Sequence, residues 1–139
     1  MTITLVNHMN ELPRLTEAVA AFVAERGIRK DDGFELALVL EEIFANIVSY
    51  AFDEPGRHAI EIGLERRDGA VHVHVFDAGR PFDPRDVPPP DLAADLELRP
   101  IGGLGVHLIR TLTEDLAYER RDGINHLSFR KTLRQSDGD

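Results

Sequence analysis

Apolar residues along this chain fall into two periods, and the change of period marks the elements. Leu12, Leu15, Val19, Phe22 and Val23 recur at helical spacing, the stripe of an amphipathic helix. That helix is predicted from about Glu11 to Arg26, with Asn10 as N-cap, Pro13 in the first turn and Gly27 as terminator. A second helix, capped by Asp31 or Asp32 and running to about Tyr50, is apolar nearly all round, from Phe34 and Leu36 through Ile43 and Phe44 to Ile47 and Val48. Such a helix belongs in the middle of a core. Ile60, Ile62 and Leu64 then alternate with polar residues. Val71, Val73 and Val75 do the same, with His72, His74 and Phe76 on the opposite face. Asp68-Gly69 joins these two strands as a hairpin, and Asp122-Gly123 joins a later pair, Leu116 to Tyr118 and Leu127 to Phe129. Thr2 to Val6 is a first strand. Gly102, Gly103 and Gly105 open a third helix with Val106, Ile109 and Leu112 facing inward. Residues 84–101, with Pro88-Pro89-Pro90 and an acidic stretch from Asp91 to Glu97, fit neither period; so long an irregular segment in a compact domain is usually functional or mobile. The polar tail 135–139 is expected to fray.

The predicted order is strand, helix, helix, hairpin, loop, helix, hairpin. It implies one α+β domain over residues 1–139: a two-layer α/β sandwich whose mixed, mostly antiparallel sheet carries its helices on one face. Composition agrees, since 42% apolar content in 139 residues is enough for a globular core. Sixteen Lys and Arg against 25 Asp and Glu give a net charge of −9. That balance argues against a nucleic-acid partner, because phosphate contacts need clustered cations. The chain has no cysteine, which excludes disulfides, thiolate zinc sites and thiol catalysis. No apolar run approaches the ~20 residues of a membrane helix, and the N-terminus lacks a basic-then-apolar leader. A cytoplasmic location without membrane contact is the expectation.

Three places carry chemistry. On the second helix Glu35, Glu42, Asn46 and Ser49 share a stripe. A buried carboxylate and carboxamide are costly unless paired or bound, so Glu42 and Asn46, one turn apart, can share a metal ion or a water. A solvent-exposed edge or a capped polar pair is the other reading of the same stripe. Glu41 points about 100° away and reads as an exposed residue. Asp77-Ala78-Gly79-Arg80-Pro81-Phe82-Asp83 follows a strand directly. An ionised Asp there can accept from an exocyclic amine such as adenine offers, and Gly79 lets a ligand approach the backbone; an ordinary polar turn is the alternative. Gly102-Gly103-Leu104-Gly105-Val106 offers free N–H groups and a dipole end suited to phosphates, but matches neither the dinucleotide fingerprint nor a P-loop. His72 and His74 share a strand face and could chelate a metal, yet no third ligand is placed near them. A sheet surface or an oligomer contact is the reading taken.

In combination, Glu-x-x-x-Asn on a helix, Asp-x-Gly-x-Pro-Phe-Asp after a strand and Gly-Gly-x-Gly opening a helix resemble the GHKL, or Bergerat-fold, ATPases, a superfamily that includes gyrase and the histidine kinases. Within it the chain looks most like the bacterial anti-sigma factor serine kinases, from Leu5 to Leu133, with Gly79-Arg80-Pro81-Phe82-Asp83-Pro84 pointing to that branch. The resemblance implies a Bergerat fold and a Mg²⁺- and ATP-dependent protein serine kinase that sequesters a sigma factor and phosphorylates a STAS-type anti-sigma-factor antagonist, working as a homodimer. It implies Glu42 as general base, Asn46 as the Mg²⁺ ligand and Asp77 as the partner of the adenine amine. Gly79 and Phe82 would line the base, and Gly102, Gly103, Leu104, Gly105 and Val106 the phosphates. Residues 84–101 would form the ATP lid. Ser128 would stand where the family often has a Thr near the adenine. One departure is visible: where the family often runs on to a His-Gly pair, this chain reads Ile47-Val48-Ser49-Tyr50-Ala51-Phe52. It leaves open a second reading, a non-catalytic ATP-binding module that controls a partner through nucleotide occupancy. No helical acceptor domain accompanies these motifs, so a self-sufficient histidine kinase is not expected.

Overall fold

A computed structural model describes residues 1–54, 56–83, 85 and 105–134. Strand β1 (Thr2–Val6) leads into helices α1 (Leu12–Glu25) and α2 (Lys30–Tyr50). The hairpin β2 (Ala59–Arg67) and β3 (Ala70–Asp77) follows, then α3 (Gly105–Leu112) and the hairpin β4 (Glu114–Arg121) and β5 (Ile124–Thr132). The strands form one sheet in the order β1-β2-β3-β5-β4. Every neighbouring pair in it is antiparallel. Both Asp-Gly turns take positive φ at both residues, 55° and 74° at Asp68 and Gly69, 53° and 80° at Asp122 and Gly123. This is the turn twist that matches the twist of paired strands.

One face of the sheet is dry. Ile60, Ile62, Leu64, Val71, Val73, Val75, Leu127 and Phe129 are buried together with Leu15, Val19 and Phe22 of α1 and Leu36, Val39, Leu40, Ile43, Phe44 and Ile47 of α2. On the other face His74 is exposed and His72, Phe76, His126 and Ser128 are half-buried. The two-layer α+β expectation therefore holds. Among the described residues no helix is long and apolar enough to cross a membrane.

Two predicted caps differ. A 3-10 turn at Met9–Glu11 precedes α1, and the His8 ring, not Asn10, accepts the N–H of Asn10. Helix α2 starts at Lys30 without a side-chain cap, because its first-turn acids are engaged elsewhere. Asp32, 1% exposed, accepts from the Arg134 backbone N–H at 2.8 Å and from its guanidinium at 2.6 Å. Glu35 binds Lys131 and Arg134, each at 2.7 Å. These ion pairs fasten the start of α2 to the end of β5. The other end is fastened where Arg80 N–H donates to the Ala51 carbonyl at 2.9 Å. Held at both ends, α2 carries its polar residues in a fixed orientation.

Candidate functional site

The stripe expected along α2 divides in two. Glu35 belongs to the ion cluster, and Ser49 is exposed. Glu42 and Asn46 remain. Asn46 is fully buried, and among the described residues neither its Oδ1 nor its Nδ2 has a hydrogen-bond partner; the buried Oε2 of Glu42 lacks one too. A protein rarely leaves such groups unpaired, since each costs roughly 1–3 kcal/mol. Two of them one turn apart make this the candidate place for a ligand. The exposed-edge and capped-pair readings both fail on these facts. Burial, and then the charge of neighbouring Glu41, pushes the Glu42 carboxyl above the ordinary range, which suits a base working near neutral pH.

Asp77 closes β3. Its Oδ1 accepts from Gly79 N–H at 2.9 Å and from Asn125 Nδ2 at 3.0 Å. Among the described residues both of these bonds fall on Oδ1. Burial raises the Asp77 carboxyl, against the pull of Asn125, the Gly79 N–H and Arg120. Gly79 is there for space. A Cβ on it would lie 2.5 Å from the Ala51 carbonyl oxygen and 2.9 Å from Asp77 Oδ1. The Asp77 turn thus lies against the end of α2, four to five residues beyond Asn46, so the two predicted clusters share one end of the domain. Phe82 stacks on Tyr50, with ring centroids 5.5 Å apart. Tyr50 stands in the stretch 47–52, where the sequence is expected to depart from the family's usual run.

Ser128 requires a correction. Register pairs it with His74 across β3, whereas Asp77 pairs with Asn125. Directly opposed residues share a sheet face, so Ser128 lies on the far face from Asp77 and Asn125 holds the position expected of it. Asn125 was missed because it stands next to a turn. The hint was its place in the series Asn125, Leu127, Phe129, Lys131, all buried: a polar residue in register with a core-facing row. Gly102, Gly103, Leu104 and the expected lid at 84–101, except Arg85, lie outside the described residues. So does the expected frayed tail. Gly105 begins α3, whose Ile109 is buried and which packs on α2; the side chains of residues 105–107, Val106 included, also lie outside the described set.

On the outer face, His74 Nδ1 lies 2.8 Å from His126 Nε2 and Phe76 stacks on His126. Among the described residues no group of three His, Asp or Glu could hold a metal. His72 and His74 lie on this face, opposite the core.

Residues 5–131 match the family model of the histidine kinase-like ATPase domain. The serine/threonine-protein kinase BtrW of Bordetella bronchiseptica is 39% identical over 96 residues, 69% of this chain and 68% of that protein. The serine-protein kinase RsbW of Bacillus cereus is 32% identical over 137 residues, covering 90% of this chain and 84% of the relative. Among solved structures, the RsbU and RsbW domains of a Mycobacterium tuberculosis protein superpose with a TM-score of 0.64 at 18% identity, over 98% of this chain and 33% of that one. A blue-light activated histidine kinase of Erythrobacter litoralis gives 0.56 at 16% identity, over 88% of this chain and 40% of the other. This chain spans well under half of either solved chain, and at these identities the likeness is one of fold.

Proposed function

The chain belongs to the histidine kinase-like ATPase domain family, and from that premise we propose that it is an ATP-dependent protein serine kinase of the anti-sigma regulatory type. The observation that carries the reading is the unpartnered Asn46 amide, fully buried one turn from the unpartnered Glu42 oxygen. Asn46 offers a hard, neutral oxygen of the kind Mg²⁺ prefers, so the donor set fits that ion. When bound, magnesium neutralises phosphate charge during transfer. Asp77 Oδ2 accepts the adenine amine, and Gly79 and Phe82 line the base. Gly102, Gly103, Leu104, Gly105 and Val106 supply the phosphate cradle and residues 84–101 the lid. Glu42 accepts the proton of the incoming serine hydroxyl. The serine oxygen then bonds to the γ-phosphorus as the bond from that phosphorus to the β–γ bridging oxygen breaks, and ADP leaves. The partners on this reading are a sigma factor, a STAS-type antagonist bearing the acceptor serine, and a second copy of the chain.

The test pairs binding with transfer. Mg-ATP titration should show binding to the wild-type chain and to Glu42→Ala, and none to Asn46→Ala. Labelled ATP should pass its phosphate to a STAS-domain serine with the wild-type chain and not with Glu42→Ala. Full transfer by Glu42→Ala refutes the base assignment. Tight ATP binding without any transfer by the wild-type chain supports the regulatory module instead, the reading favoured by the Tyr50 departure.

A further inference from the structure

Three side chains of the last hairpin converge behind Asp77. Asn125 is 2% exposed, and its Nδ2 faces three acceptors: Asp77 Oδ1 at 3.0 Å, the Arg80 carbonyl at 2.8 Å and the Gly79 carbonyl at 3.5 Å. Its Oδ1 faces two donors, the Tyr118 hydroxyl at 2.5 Å and Arg120 Nη1 at 2.9 Å. The amide therefore has one orientation only, since a flip would set carbonyl against carboxylate and N–H against guanidinium. Arg120 Nη1 also donates to the Gly79 carbonyl at 2.9 Å, and the Tyr118 oxygen accepts the Phe82 N–H at 3.3 Å. The 79–82 strap is tied to this group at every one of these points.

We propose that Tyr118, Arg120 and Asn125 form a positioning brace that fixes Asp77 as a hydrogen-bond acceptor toward the ligand and so sets a preference for a purine bearing an exocyclic amine. The inference rests on the ATP-site reading above. Asn125 and the Gly79 N–H engage Asp77 Oδ1, which assigns Oδ2 to the ligand as its acceptor. A base with an amine at that position gains a bond, while one with a carbonyl meets a like dipole. Tyr118 and Arg120 do not touch the base. They lock the Asn125 amide, which locks the carboxylate. Without its two donors the amide is anchored through Nδ2 alone, so its hold on Asp77 Oδ1 loosens and the carboxylate is no longer fixed toward the ligand.

Adenine and hypoxanthine nucleotides isolate the effect, because they share phosphates and sugar and differ in the 6-amine against a 6-carbonyl. Mg-ATP and Mg-ITP are titrated calorimetrically into the wild-type chain, Tyr118→Phe, Arg120→Met and the double variant. The wild-type chain should prefer ATP. In the double variant ATP affinity should fall about tenfold, the loss of one charge-assisted bond, while ITP affinity changes less than about twofold. Tyr118→Phe alone, which keeps Arg120 on the amide, should lose less and serves as the readout if the double variant does not fold. Equal loss of both nucleotides, the mark of a merely structural role, overturns the proposal, as does an unchanged preference. A wild-type chain that binds neither nucleotide refutes the ATP-site reading itself, and this inference with it.

Discussion

Gly79→Ala probes the contact that joins the Asp77 turn to α2. The added Cβ would meet the Ala51 carbonyl oxygen at 2.5 Å, the Ala51 Cβ at 2.9 Å and Asp77 Oδ1 at 2.9 Å. None of these is the free end of a long side chain, so the strap must move as a body. Overpacking of this kind costs about 1–3 kcal/mol. The shift also strains the Arg80 N–H bond to Ala51, 2.9 Å long, and the Gly79 N–H bond to Asp77, adding about 1 kcal/mol. The sum is roughly 2–4 kcal/mol. At about 2.1 cal/mol/K of unfolding entropy per residue, each kcal/mol moves the melting temperature of a chain this long by about 3–4 °C, so Tm should fall by roughly 10 °C. Gly63→Ala is the control: its Cβ would find nothing nearer than 4.0 Å, and it should stay within about 0.5 kcal/mol of the parent. Urea unfolding of both variants, with Mg-ATP titration, measures the effect. A Gly79→Ala chain as stable as the parent, with undiminished nucleotide affinity, refutes the tight-contact argument.

Other outcomes follow from the charges. Glu42 is raised by burial and by Glu41, so phosphotransfer should fall away on acidification at a pH above the ordinary glutamate range; Glu41→Gln should move that limb to lower pH in a pH–rate profile, and an unmoved limb argues against Glu42 as base. Glu35 is lowered by its bonds to Arg134 and Lys131. Its stabilising effect is complete above the ordinary glutamate range and lost as pH falls through the depressed native value. Arg134→Met should therefore flatten the acid limb of a stability–pH curve; an unchanged limb rules the cluster out as its source. His74, though exposed at its rim, is lowered first by partial desolvation and then by His126, so the unfolded chain takes up the proton at higher pH than the folded one. Stability should drop as pH falls below 6.5 and level off below the native value, and His126→Gln should weaken that drop in thermal melts at pH 7.5 and 5.5.

Much of the candidate site was legible because its parts are local. Glu42 and Asn46 lie one turn apart on a single helix, and Asp77 and Gly79 are two residues apart at a strand end, so each spacing carries its own geometry. What failed was long-range. Ser128 and Asn125 are three residues apart on one strand, and the pairing with β3 decides which of them shares a face with Asp77, since a one-residue slip reverses every side chain. Asp32 looked like a cap because its position fitted one; its partners Lys131 and Arg134 lie about a hundred residues further on. Tyr118 and Arg120 carry no motif of their own; only the fold sets them behind a carboxylate from another hairpin.

The sequence by itself determined the elements, their order, the dry face of each and the family, because period, turn chemistry and motif spacing act over a few residues. Only the tertiary structure decided which polar side chains find partners and which are left without them. Asn46 stays empty-handed while Asn125 is fully occupied, although both are buried asparagines. Asn125 stands on β5 directly opposite Asp77 of β3, whereas Asn46 stands on a helix, and strand pairing over the core brings a partner only to the first.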